Sequence, residues 1–177
     1  MRWSSVVRQC RFDCVRVDLF GLSNMLFMLL FPVLSCVAAL VLTVTGAPGQ
    51  VAVSVYGGVC GMAAVMSWMS ALSVNVAEES GGHRAMNGMI PIARTSQVAG
   101  RFLFLLVTCA MWTVDVMACS VFFAFGDMMD SGWAGAMIPS AVIIAFSLIV
   151  GSILMAFSYR FTFRAMMRIF VVVIVGL

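Results

Sequence analysis

No lysine occurs in this chain of 177 residues, histidine occurs once, and charged side chains make up only 10% of it. Without lysine a G-x-x-x-x-G-K-[ST] loop cannot be built, which excludes nucleotide hydrolysis of that type on this chain. H-E-x-x-H and G-x-S-x-G are also missing. His83, the single histidine, has no carboxylate–serine setting that would activate it for hydrolysis. Six cysteines are present but form no C-x-x-C pair and no Cys/His cluster, which argues against a metal centre. Cys36, Cys60, Cys109 and Cys119 lie inside apolar runs, whereas Cys10 and Cys14 lie in the arginine-rich N-terminus. They read as small, membrane-compatible residues. The chain is therefore not expected to be an enzyme, nor to hold a cofactor or metal of its own.

What is present is apolar: 63% of the residues, with a mean hydropathy of +1.12. Soluble domains run near 45–50% apolar and about 25% charged. A chain of this size cannot hide such an excess in its interior, because a small globule leaves much of its surface outside. The solvent for that surface is lipid. The expected fold class is all-α, a polytopic integral membrane helix bundle forming a single transmembrane domain over 1–177.

An apolar helix needs about 20 residues to cross the hydrocarbon layer. Four segments meet this, at 19–45, 51–76, 102–125 and 133–159. A fifth apolar stretch, 169–177, has less than half that length. It is either re-entrant or the start of a further span in a truncated chain, and the second is expected, since a half-helix ending in lipid would leave carbonyls without partners.

All ten basic residues are arginines, and their positions give an orientation. Arg2, Arg8, Arg11 and Arg16 precede the first span, Arg84, Arg94 and Arg101 fall between the second and third, and Arg160, Arg164 and Arg168 follow the fourth. The connections "TGAPGQ" and "GDMMDSGW" hold none. Every arginine falls on one side if the N-terminus is cytoplasmic. The first apolar stretch is too long for a cleavable signal sequence and is followed by others.

Residues 1–18 predict an interfacial amphipathic helix. Trp3, Val6, Val7, Cys10, Cys14 and Val17 share one stripe, and Arg2, Arg8, Arg11 and Arg16 lie off it. Such a helix rests at the membrane surface, where anionic headgroups attract it. The simpler reading is a basic flank that only fixes topology. Within the spans, Asp115 is a polar site: a carboxylate there costs about 2.5–3.5 kcal/mol on insertion scales and should face protein or water. It either lines a conduit or handles protons, or is a hydrogen-bonded packing residue. Gly57 and Gly61 form a GxxxG pair, expected to let helices approach closely.

The segment 77–101 is the one long polar interruption. It holds Glu78 and Glu79, a Gly-Gly joint, Arg84, and then "PIARTSQVAGRF" opening with Pro91. Pro91 suits a turn or helix start, and Arg94 to Arg101 read as a basic helix running into the third span.

With these pieces the chain resembles the permease subunits of type-2 ATP-binding-cassette exporters, in a compact bacterial subfamily. The pattern there is an acidic pair, a linker, "LP-[IV]-[ST]-R", then "V-x-[GA]-[KR]-[YF]". Glu78 and Glu79 match the first element. Ile90 to Arg94 match the second, with Ile for Leu and Ala for Ser/Thr, and Val98 to Phe102 match the third. The resemblance implies a coupling role for Glu78, Glu79, Arg84, Pro91, Arg94 and Arg101 against a cytoplasmic ATPase subunit, which would bind the ATP. It also implies a bundle of six spans from which this chain is truncated, a second permease copy or homologue as partner, contact with membrane lipids, no nucleic acid, and residence in a bacterial cell membrane. Two other classes stay open from the residues themselves: a non-transporting membrane scaffold or regulator, and an ion- or proton-coupled carrier using Asp115.

Overall fold

Five helices follow one another along the chain: α1 (Trp3–Arg16), α2 (Leu22–Thr45), α3 (Gly49–Ser80), α4 (Arg94–Phe125) and α5 (Gly132–Ser158). The structure is a computed structural model and describes residues 3–80, 93–125 and 132–159, with Phe161, Ala165 and Arg168. Arg2, Arg84, Pro91 and the partial span 169–177 lie outside the described residues. The described chain is all-helical, and α2 to α5 are each long and apolar enough to cross a membrane.

Local chemistry sets the joints. α2 ends at Gly46, whose φ of +62° is a left-handed conformation that glycine adopts without steric cost. Its amide and that of Ala47 return to the carbonyls of Thr43 and Leu42, so two of the last turn's acceptors are satisfied before α3 begins at Gly49. Between α1 and α2, Asp18 takes a φ of +53°, tolerated by aspartate, and its carbonyl accepts from Asn24 Nδ2 at 2.7 Å. Inside the spans, hydroxyls turn back onto their own helix, as Thr43 does to Ala39 and Thr113 to Cys109, which satisfies those donors without water.

α4 is the hub. It touches α1, α2, α3 and α5, whereas α2 touches only α3 and α4. In its most apolar window 44% of α4 is buried, against 17% of α2. Two apolar clusters result. One joins Cys10, Cys14, Leu72, Phe104, Leu105 and Met155, where α1, α3, α4 and α5 converge. The other joins Phe31, Tyr56, Cys60, Trp112 and Phe123, with Phe31 set edge-on to Trp112 at 5.3 Å. An edge-to-face aromatic pair of this kind adds about 0.5–1.5 kcal/mol beyond its buried area.

Two sequence expectations change in detail. Val6, Cys10 and Cys14 are buried, but they share their face with Gln9 and Asp13, while Trp3 and Val7 are exposed. The face α1 turns inward is therefore rotated from the apolar stripe, because it packs on α4 rather than only on lipid. Gly100 makes this contact possible: a Cβ there would come within 2.6 Å of Gln9 Cβ and 3.1 Å of the Val6 carbonyl. Gly57 and Gly61 do not serve close packing among the described residues, since none of these, apart from the helix's own backbone, lies within 4 Å of the space a Cβ would take. α3 packs instead through Ala52, Tyr56, Cys60, Ala63 and Ala71, on its other side.

Candidate functional site

The chain concentrates its buried charge where α1 ends, α3 ends and α4 begins. α3 continues past residue 76 through Glu78 to Ser80, and α4 starts at Arg94, so the helices themselves carry Glu78 and Arg101 into the bundle. Glu78 is 5% exposed and Arg101 8%. Glu78 Oε1 accepts hydrogen bonds from Arg16 Nη1 at 2.6 Å and from Arg101 Nη2. Arg101 Nη1 donates to Asn75 Oδ1 at 2.7 Å, and its guanidinium lies over the Tyr159 ring, 5.5 Å from the centroid. Asn75 in turn directs its amide to Met155 Sδ of α5. Four helices are thus tied at one point.

The electrostatics explain why the point holds together. A carboxylate in the last turn of α3 sits at the negative end of that helix, where it is disfavoured unless cations offset it. Arg16 and Arg101 do so. Arg16 itself lies in the last turn of α1, the favourable end for a cation, and stacks on Phe12 at 4.7 Å. Removing one partner from such a buried group leaves an uncompensated charge and costs about 3–5 kcal/mol.

Asp13 completes the junction. It is fully buried, its Oδ1 accepts from Gln9 Nε2 at 3.1 Å, and its Oδ2 has no hydrogen-bond partner among the described residues. Burial pushes its carboxyl up from the ordinary aspartate range to about 6. Arg101, the Gln9 hydrogen bond and Arg16 pull the other way, and Glu78 adds to the rise. Beside it, burial and the neighbouring Cys14 push the Cys10 thiol up to about 12, which removes any reactive thiolate at neutral pH.

The positions singled out from the sequence therefore divide. Glu78 and Arg101 are buried in the junction, as is part of Arg16. Arg94 is exposed at the start of α4, Glu79 is half-buried, and Trp3, Arg8 and Arg11 are exposed on α1. Asp13, Gln9, Asn75 and Tyr159 were not anticipated. Asn75 gave a signal, since it stands three residues before Glu78 and so shares its helix face. Asp13 gave another, as an acid within a run of arginines.

Asp115 occupies a different setting on α4, fourteen residues past Arg101 and so about 21 Å along the helix at 1.5 Å per residue. It is 8% exposed, and its Oδ2 and Ser35 Oγ of α2 are both without hydrogen-bond partners among the described residues. Nearby, Cys60, Ser67, Thr113, Ser140 and Ser147 line a void of about 10 Å³ between α3, α4 and α5. That is room for a single water and no larger guest. Among the described residues no three His, Cys, Asp or Glu side chains gather as a metal site.

Comparisons with family models, with curated proteins and with solved structures found no match to this chain.

Proposed function

We propose that this chain is the membrane-spanning subunit of a type-2 ATP-binding-cassette exporter, lying in a bacterial cell membrane with its N-terminus cytoplasmic, and driven by ATP hydrolysis on a separate subunit. The observation that carries the reading is the buried junction of Arg16, Glu78, Arg101 and Asn75. It ties the end of α3 to the beginning of α4, the two helices that flank the polar segment 81–93, and fastens both to α1. A force applied to that segment would reach α3, α4 and α1 as one unit rather than being lost in a flexible loop. This is what a part that converts a motor's stroke into helix movement requires.

In this proposal the roles differ by exposure. Glu78 and Arg101 hold the junction from within. Arg94, whose side chain is exposed, faces the ATPase, with Glu79 and, by the resemblance, Arg84 and Pro91. The void among α3, α4 and α5 is too small for a substrate, and the proposal places the substrate path between two copies of the chain. The decisive experiment is purification of the tagged chain from its native membrane after mild cross-linking. The expected result is co-isolation of an ATP-hydrolysing subunit, reduced about tenfold or more by Arg94→Glu, since reversing a charge at an interface costs several kcal/mol. Isolation without any ATPase would overturn the proposal in favour of a membrane scaffold.

A second reading has one observation in its favour, the partnerless oxygens of Asp115 and Ser35, which suit an ion- or proton-coupled carrier. Transport that survives Asp115→Asn unchanged would remove it.

A further inference from the structure

A groove of about 650 Å³ runs along the outer side of the α1–α4 contact, away from the buried junction. Trp3 and Val6 of α1 form one wall. On α4 the groove begins at Arg94 and Thr95 and ends at Phe102 and Leu106. We propose that it is a binding site for one anionic phospholipid, with an acyl chain in the groove and the phosphate at Arg94.

The argument is one of depth and charge. Leu106 lies twelve residues beyond Arg94, about 18 Å along α4 at 1.5 Å per residue, close to the reach of one leaflet's acyl chain. Polar lining is confined to the Arg94 end, and the rest is apolar, as a lipid is polar at one end only. Arg94 is exposed, no acidic side chain is among the lining residues, and the N-terminal end of α4 adds its partial positive charge at the same place. Trp3 lines the same groove, and tryptophan is a residue type that gathers between headgroups and chains. A zwitterionic lipid would fill the groove but gain less at Arg94. The proposal needs only a membrane around the bundle; it assigns to a lipid phosphate the Arg94 that the exporter reading turns toward the ATPase, so it is tested on the chain without an ATPase present.

The test is native mass spectrometry of the full chain in detergent, with phosphatidylglycerol and phosphatidylcholine of identical acyl chains at equal concentration. Wild type should retain phosphatidylglycerol about fivefold over phosphatidylcholine, the preference one arginine near the headgroups confers. Arg94→Gln should bring the two lipids to parity while some lipid is still retained. Ala99→Trp, which fills the groove floor, should lower retention of both. Because residue 99 faces α1, the exposed Arg94 variant decides if the tryptophan variant misfolds. Parity in wild type means only a loose lipid shell and overturns the site. So does a change of oligomeric mass, rather than of lipid content, in either variant, which would give the groove to a second copy of the chain.

Discussion

Glu78 and Asp115 are both carboxylates buried within a helix bundle of lipid-like composition, yet their surroundings are opposite. Glu78 shares one oxygen between two arginines, one of which also binds Asn75. Asp115 has no ion pair among the described residues and leaves Oδ2 without a hydrogen bond. Asp13 stands between them, with two arginines near and one oxygen bonded to a glutamine. Burial alone thus says little about what an acid does in such a bundle. The number of cations and donors brought to it by other helices decides whether it fastens helices together or merely occupies space between them.

The sharpest way to break the comparison is the same chemical change at both acids. Glu78→Gln removes the negative charge that Arg16 and Arg101 share, leaving two guanidinium groups facing each other in a buried place. The expected loss is about 3–5 kcal/mol of stability, read from denaturant or thermal unfolding in detergent micelles. α1 should also become the first element released, seen as faster proteolysis near residue 16. A loss below about 1 kcal/mol, the range of exposed ion pairs, would mean that the junction is solvated in the membrane-bound protein.

The next effect comes from Asp13 and has a definite sign. Its carboxyl is raised in the folded chain to about 6, above the ordinary aspartate range of the unfolded chain. The fold therefore prefers the protonated form. The stabilisation is complete below about pH 4 and is lost as pH rises through about 6, by up to about 3 kcal/mol. Stability measured between those values should fall with pH in wild type and be flatter in Asp13→Asn. In Glu78→Gln the slope should also shrink, because the neighbouring charge that helps hold Asp13 neutral is gone and both arginines remain to favour its ionised form. A wild-type stability that rises over the same interval would contradict the burial of Asp13.

How much of this was legible in the sequence follows from what each feature depends on. The spans were legible because length and apolarity are local properties, and all four appear as helices. The gathering of arginines at one end was legible for the same reason, and Arg16, Arg94 and Arg101 do lie on elements that converge there. The inward face of α1 was not. An apolar stripe predicts which side avoids water, but here Gln9 and Asp13 are buried because Gly100 lets α1 lie directly on α4 and Arg101 lies close by. The burial of Glu78 and Arg101 was not legible either. Charged residues in a polar interruption look solvent-facing until α3 and α4 are seen to extend into that interruption and turn them toward each other. The GxxxG pair shows the converse, a packing motif present in the sequence and left open by the neighbouring helices.

Asp115→Asn should have the smallest effect of the three and completes the comparison. Asparagine keeps the shape of the side chain and one carbonyl acceptor, and it needs no counter-charge. At Glu78 the charge has two cations to lose, whereas at Asp115 no ion pair among the described residues is broken by the exchange. The expected change in stability is therefore within about 1 kcal/mol, read on the same unfolding assay as Glu78→Gln. A destabilisation comparable to that of Glu78→Gln would show that Asp115 is held as an anion by a cation outside the described residues. The two acids would then be alike, and the proposed difference between a fastened end of the bundle and an unfastened middle would fall.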